Sequence, residues 1–197
     1  ETLHHSLEEL NRLQRMVSDM LFIARADRGG TLSTFEVVNL NEIAVEVVEY
    51  LELVASDNDQ SITISGELTA PCDPLMLRRA ITNLVSNAIR YSPPEAHIEL
   101  RLSDQDGEAV VDISNPFNQP LSQSDIDRLF DRFARLEGSK TRQNTGLGLG
   151  LSIVQSIMRV HGGRACASLE SGVFRVQLRW SALQAAPADQ QQTVATR

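Results

Sequence analysis

The sequence predicts an α+β domain preceded by a long N-terminal helix, and three observations carry that expectation. Apolar residues recur at helical spacing over residues 1–27, 43–51, 77–91 and 149–160. Alternating segments come in two close pairs, 96–102 with 108–113 and 164–169 with 173–180, as β-hairpins do. Breakers fall between these segments, at Arg28-Gly29-Gly30, Ser92-Pro93-Pro94 and His161-Gly162-Gly163.

In residues 1–27, Leu3, Leu7, Leu10, Val17, Leu21 and Ala24 recur at steps of three, four or seven, Leu13 and Met20 broaden the stripe, and Gln14 interrupts it. A lone helix cannot bury such a stripe, so a dimeric bundle is expected, with folding onto its own domain as the alternative. Gly29-Gly30 marks a linker. Residues 35–38 read as a strand, and Asn39 or Asn41 caps a helix through Ile43, Val47, Val48 and Leu51. Residues 61–65 alternate like a strand. Asp73 or Pro74 starts a helix with Leu77, Ala80, Ile81, Leu84, Val85 and Ala88 on its apolar face; it runs to Tyr91. The first hairpin turns through Asp104-Gln105-Asp106-Gly107. Residues 115–145 are polar and irregular around a short amphipathic helix, 124–134, bearing Ile126, Leu129, Phe130 and Phe133. A long loop of this kind inside a compact domain serves as a functional lid. A glycine-opened helix follows and ends on a glycine C-cap at Gly162-Gly163. The division expected is residues 1–28, 33–181 and a disordered tail, 182–197, rich in Ala, Gln and Thr.

At 197 residues and 42% hydrophobic content the chain suits one main domain with an appendage. Its 26 acidic and 18 basic residues give a charge of -8 without a basic block, so nucleic acid is not an expected partner. No apolar run approaches the ~18 residues a membrane span needs, and the N-terminus lacks a signal-peptide layout, so the piece is expected to be soluble. Cys72 and Cys166 have neither zinc spacing nor a disulfide framework and read as reduced thiols.

Two distant stretches carry chemistry together. Asn83 and Asn87 lie four apart on one helix face, where carboxamide oxygens can ligate a hard cation such as magnesium. Gly146-Leu147-Gly148-Leu149-Gly150-Leu151 opens a helix and lets backbone N–H groups approach an anion, with the helix N-terminus adding partial positive charge. Alone, the glycine run would equally suit a structural turn. Together they suggest a nucleotide site.

Three motifs match a known family in order and spacing. Leu84-Val85-Ser86-Asn87-Ala88-Ile89-Arg90-Tyr91-Ser92-Pro93, Leu129-Phe130-Asp131-Arg132-Phe133, and Thr145-Gly146-Leu147-Gly148-Leu149-Gly150 closely resemble the N, F and second glycine boxes of bacterial sensor histidine kinases. Residues 3–27, with Arg12-Leu13 and Met16-Val17-Ser18-Asp19, look like the second helix of that family's dimerisation and phosphoacceptor hairpin. Arg15 to Leu21 and Ser114-Asn115-Pro116 are most similar to the heavy-metal branch, the copper and silver sensors.

The resemblance, over about residues 1–180, implies a two-layer α/β sandwich of the gyrase and histidine-kinase superfamily, its helices on one face of a mixed sheet and a mobile lid over the phosphates. It implies ATP and Mg2+ as cofactors. Asn87 would ligate magnesium with Asn83 supporting, Arg90 would meet phosphate and Tyr91 would flank the base. Gly146, Leu147, Gly148, Leu149 and Gly150 would pass close to the triphosphate, with Arg132 and Lys140 offering positive charge. Hydrolytic relatives carry glutamate where Asn83 stands; an amide is no general base at neutral pH, so the γ-phosphoryl can be held for a histidine. A gyrase-like ATPase is thereby the weaker alternative. The partners implied are a response regulator and a second copy of the full-length protein, in the cytoplasmic part of a bacterial inner-membrane protein.

Two departures stand out. The family's first glycine box reads Asp-x-Gly-x-Gly, and this chain has Asn115-Pro116-Phe117. Asn115 can accept from adenine without the charge-assisted bond of a carboxylate, or it marks a strand-end turn alone. Phe117 either covers the base or packs under the lid. The family's His-Glu-x-x-x-Pro phosphoacceptor is also missing: His4, His5, His97 and His161 lack that setting, so no catalytic residue is expected here and the acceptor lies upstream in the parent. The competing reading is a catalytically weakened ATP-binding or dimerisation module.

Overall fold

A computed structural model of the protein describes residues 2–27, 34–134 and 148–183. Their order is α1 (Thr2–Asp27), β1 (Glu36–Asn39), α2 (Leu40–Ser56), β2 (Ser61–Ser65), β3 (Thr69–Cys72), α3 (Pro74–Tyr91), β4 (His97–Gln105), β5 (Glu108–Pro116), α4 (Gln123–Arg128), α5 (Gly150–Val160), β6 (Arg164–Glu170) and β7 (Val173–Ser181). Five strands form a mixed sheet in the order β2-β4-β5-β7-β6, and β1 pairs with β3 apart from it. β2 runs parallel to β4, with Ser61 opposite His97, and the remaining neighbours in the sheet are antiparallel.

Period-2 alternation sends Ile98, Leu100 and Leu102 of β4, Val111 and Ile113 of β5, and Val176 and Leu178 of β7 to one face. There they join Leu77, Ile81 and Val85 of α3 and Ile153 and Ile157 of α5 in a single core. The opposite face is polar. Arg175 Nη1 and Gln177 Nε2 each donate to Asp112 Oδ2 at 2.6 Å, and Arg164 donates twice to Glu108 at 2.8 Å. Val110 shares that face and is fully buried beneath the long side chains. The architecture is therefore the expected two-layer α/β sandwich.

Local chemistry sets the helix starts. Asn39 caps α2, accepting from Asn41 N–H at 3.1 Å, while Asn41 bonds the Gly66 carbonyl and Leu68 N–H. Asp73 caps α3 through Met76 N–H at 3.0 Å, with Pro74 in the first turn.

Four elements differ from the sequence reading. β3 was not anticipated, because Thr69-Ala70-Pro71-Cys72 is short and contains a proline, tolerable on a two-stranded ribbon. The first hairpin turns through two residues, not four: Asp104 and Gln105 still pair with Ala109 and Glu108, and Asp106 and Gly107 take φ 57° and 81°. The helix expected over 124–134 stops at Arg128, since Phe133 gives its N–H to Gly148 O at 3.0 Å instead of a helical carbonyl. In α1, Leu10, Leu13, Val17, Met20 and Leu21 are exposed, whereas Ile23 is buried and Met16 and Phe22 pack on the core. The helix thus rests on its own domain through a second face. The linker 28–33, the segment with Lys140, Gly146 and Leu147, and the tail from 184 lie outside the described residues.

Candidate functional site

α3 and α5 bring the two chemistry-bearing stretches together. A Cβ added to Gly150 would lie 3.2 Å from Asn83 Oδ1 and 3.7 Å from Asn87 Nδ2. Asn83 Nδ2 donates to the Arg79 carbonyl at 2.9 Å, which leaves Oδ1, an oxygen able to accept a bond or ligate a cation, towards the glycine. No side chain caps α5, whose first internal bond is Ile153 N–H to Leu149 O at 2.9 Å. Among the described residues no side chain takes up the N–H groups of its first turn, where the helix dipole favours an anion. Leu149 itself is buried, and Ser152 Oγ donates to its carbonyl at 2.9 Å.

Gly148 secures the approach to this turn. Its φ is 69°, and a Cβ there would meet Ala134 O at 2.6 Å, so a side chain is excluded on two counts. The bond from Phe133 N–H brings exposed Arg132 next to the glycine turn. Phe133 also has positive φ, 63°, a strained setting for an aromatic residue.

Asn115 ends β5 on the helix-facing side, opposite Phe174, and is 4% exposed. Its Nδ2 donates to Pro116 O at 3.0 Å, which orients the amide and presents its oxygen as the acceptor. Phe117 is equally buried against Phe174, with ring centroids 5.8 Å apart. Tyr91 is half-buried at the end of α3, and Arg90 beside it is exposed. Among the described residues no group of three His, Cys, Asp or Glu could hold a metal. A cation at Asn83 and Asn87 would thus need a ligand's oxygens to complete its shell, which suits magnesium on phosphates. Both cysteines are free; Cys72 is buried, and desolvation with Asp73 and Glu36 nearby pushes its thiol up to about 12.

The fold is an α/β sandwich whose sheet carries a glycine-led helix beside two carboxamides, the class of an ATPase domain. Residues 72–183 match the model of the histidine kinase-, DNA gyrase B- and HSP90-like ATPase family, and the chain belongs to that family. It is 41% identical over 164 residues to the sensor histidine kinase CusS of Escherichia coli O157:H7, covering 83% of this chain and 34% of the relative. It is 41% identical over 181 residues to the probable sensor protein PcoS of Escherichia coli, covering 90% and 38%. The chain thus spans little more than a third of these relatives. The Acinetobacter baumannii histidine kinase AdeS has the same fold, with a TM-score of 0.78, 18% identity, and coverage of 92% of this chain and 85% of that one. No helix among the described residues is long and apolar enough to cross a membrane.

Sequence reasoning missed Arg79, Phe22 and Ile23. Met16 and Ile23, seven apart, signal a second apolar face beside the leucine stripe, and nothing local signals Arg79, which donates to Asp19.

Proposed function

We propose that residues 33–181 form the ATP-binding catalytic domain of a metal-sensing sensor histidine kinase, and that residues 1–28 are the second helix of its dimerisation hairpin. It transfers the γ-phosphoryl of Mg-ATP to a histidine outside this chain, for relay to a response regulator. The single observation carrying this reading is the meeting of Gly150 with Asn83 and Asn87 at an uncapped helix N-terminus.

Each residue has a physical task. The α5 N–H groups hold phosphate oxygens, and the missing Cβ atoms of Gly148 and Gly150 allow close approach. Asn87 and Asn83 offer amide oxygens to magnesium, which when bound neutralises phosphate charge. Arg90, Arg132 and Lys140 add positive charge, Tyr91 flanks the base, and Asn115 accepts from the adenine amino group. None is a nucleophile, as expected where phosphoryl transfer rests on positioning and charge stabilisation. With an amide at Asn83, that position offers no base to activate water.

A second reading, a weakened nucleotide-binding module, is favoured by the buried Phe117 and the uncharged Asn115 in the adenine box. Calorimetric titration with ATP, with and without magnesium, separates the two. Magnesium-dependent binding that drops about tenfold or more in Asn87→Ala, ~1.4 kcal/mol, supports the kinase reading. Equal affinity in wild type and variant would overturn the assigned site.

A further inference from the structure

The last turn of α3 is short of a donor, and a side chain from outside the helix supplies it. Ile89 O would take the N–H of residue 93 in a continuing helix, but residue 93 is proline and has none. Ser92 before it is extended, with φ -77° and ψ 149°, and its own N–H goes to Ala88 O at 3.0 Å. Gln60 fills the gap. Its Nε2 donates to Ile89 O and Pro93 O at 3.1 Å each and to Ser92 O at 3.3 Å, so one amide group serves all three carbonyls. Gln60 is 7% exposed, and its Oε1 has no partner among the described residues, so the amide is oriented by its donors alone.

Gln60 is itself anchored on both sides. Its N–H donates to Ala55 O at the end of α2 at 3.0 Å, and the N–H of Ser61 donates at 3.0 Å to Ala96 O, just before β4. The carbonyls gathered by its amide bracket Arg90 and Tyr91. Arg90 is exposed, and its long, flexible side chain absorbs a small shift of the helix end. Tyr91 is half-buried, and its rigid ring follows the main chain that carries it. We propose that Gln60 is a positioning residue, which replaces the donor that Pro93 lacks and thereby fixes the place of the Tyr91 ring. In the nucleotide site it serves the contact with the base, not the hold on the phosphates. That consequence rests on the function proposed above; the ordering of Tyr91 does not.

The chain has two tyrosines, so labelling with 3-fluorotyrosine gives two fluorine resonances, and Tyr50→Phe assigns the one from Tyr91. Exposed Tyr50 on α2 is the internal reference. Gln60→Met keeps the shape of the side chain without its donors, and Gln60→Glu, when ionised, only accepts. In both, the Tyr91 signal should shift and broaden while that of Tyr50 stays. Thermal melts establish that each variant is folded. In the parent chain the Gln60 side-chain amide should exchange its protons about tenfold or more slowly than exposed glutamines, a reading that needs no variant. An unmoved Tyr91 signal in folded Gln60→Met, or a Gln60 amide that exchanges as fast as exposed ones, would overturn the positioning role. Titrations with Mg-ATP and with magnesium tripolyphosphate, which lacks the base, read the consequence. Affinity for ATP should fall about fivefold in Gln60→Met, with that for tripolyphosphate unchanged. Equal losses for both, or no loss for ATP, would overturn the link to the base while leaving the ordering of Tyr91. A parent chain that binds no Mg-ATP removes that link together with the proposed function, and the fluorine spectra still decide the positioning.

Discussion

His161 stands at the far end of α5 from the glycine turn and fixes the start of α3 against the end of α5. Its Nε2 accepts from Asp73 N–H at 3.1 Å, so the ring proton sits on Nδ1, which donates to Ile157 O at 2.8 Å. Burial holds its pKa below the ordinary histidine value, outweighing the carbonyl of Ile157 and the charge of Asp73. A depressed pKa means the folded state prefers the neutral ring. The stabilisation is complete above the unfolded value of ~6.5 and is lost as pH falls below it. Urea unfolding from pH 7.5 to 5 should show stability declining below about pH 6.5, with a flatter profile in His161→Gln. Gly150→Ala tests the site at the same scale. The new methyl would press on Asn83 Oδ1 without disturbing a helical φ, so the melting temperature should hold or rise while Mg-ATP affinity falls about fivefold, ~1 kcal/mol. The asparagine pair was legible in sequence because its geometry is local, four residues on one helix. Arg79 was not, because Asp19 lies 60 residues away.

At the scale of elements, turns and caps were readable where the chemistry is carried by adjacent residues. Asp73-Pro74 and the glycines after α5 announced helix ends, and Asp106-Gly107 announced a hairpin. The number of residues in that turn was not announced, because Asp104 and Gln105 are drawn into the ladder by Ala109 and Glu108, with Arg179 bonding Gln105 across the face. Gly107→Ala should lower stability by about 1 kcal/mol in chemical denaturation, since φ there is 81° while the space around the Cβ is open. The α4 region misled for the opposite reason. Its apolar residues fit a longer helix, but the glycine turn captures the Phe133 N–H and ends the helical pattern.

For the whole molecule, the unresolved balance lies in α1. One face sits on the domain through Ile23, while Leu10, Val17, Met20 and Leu21 remain in water. A sequence stripe states that a helix needs cover; it does not state which of two faces its own domain will take. The chain should therefore self-associate with rising concentration, and sedimentation should show a shift towards monomer in Val17→Lys with Met20→Lys. The net charge of -8 opposes nonspecific association, which leaves the stripe as the driver. The bond between Phe133 and Gly148 has a different kind of consequence. It ties the end of the α4 region to the residue that precedes α5 by two positions, although the two are far apart in sequence. That makes the junction a shared anchor: one N–H to carbonyl bond settles both where the α4 region ends and where the glycine turn before α5 begins.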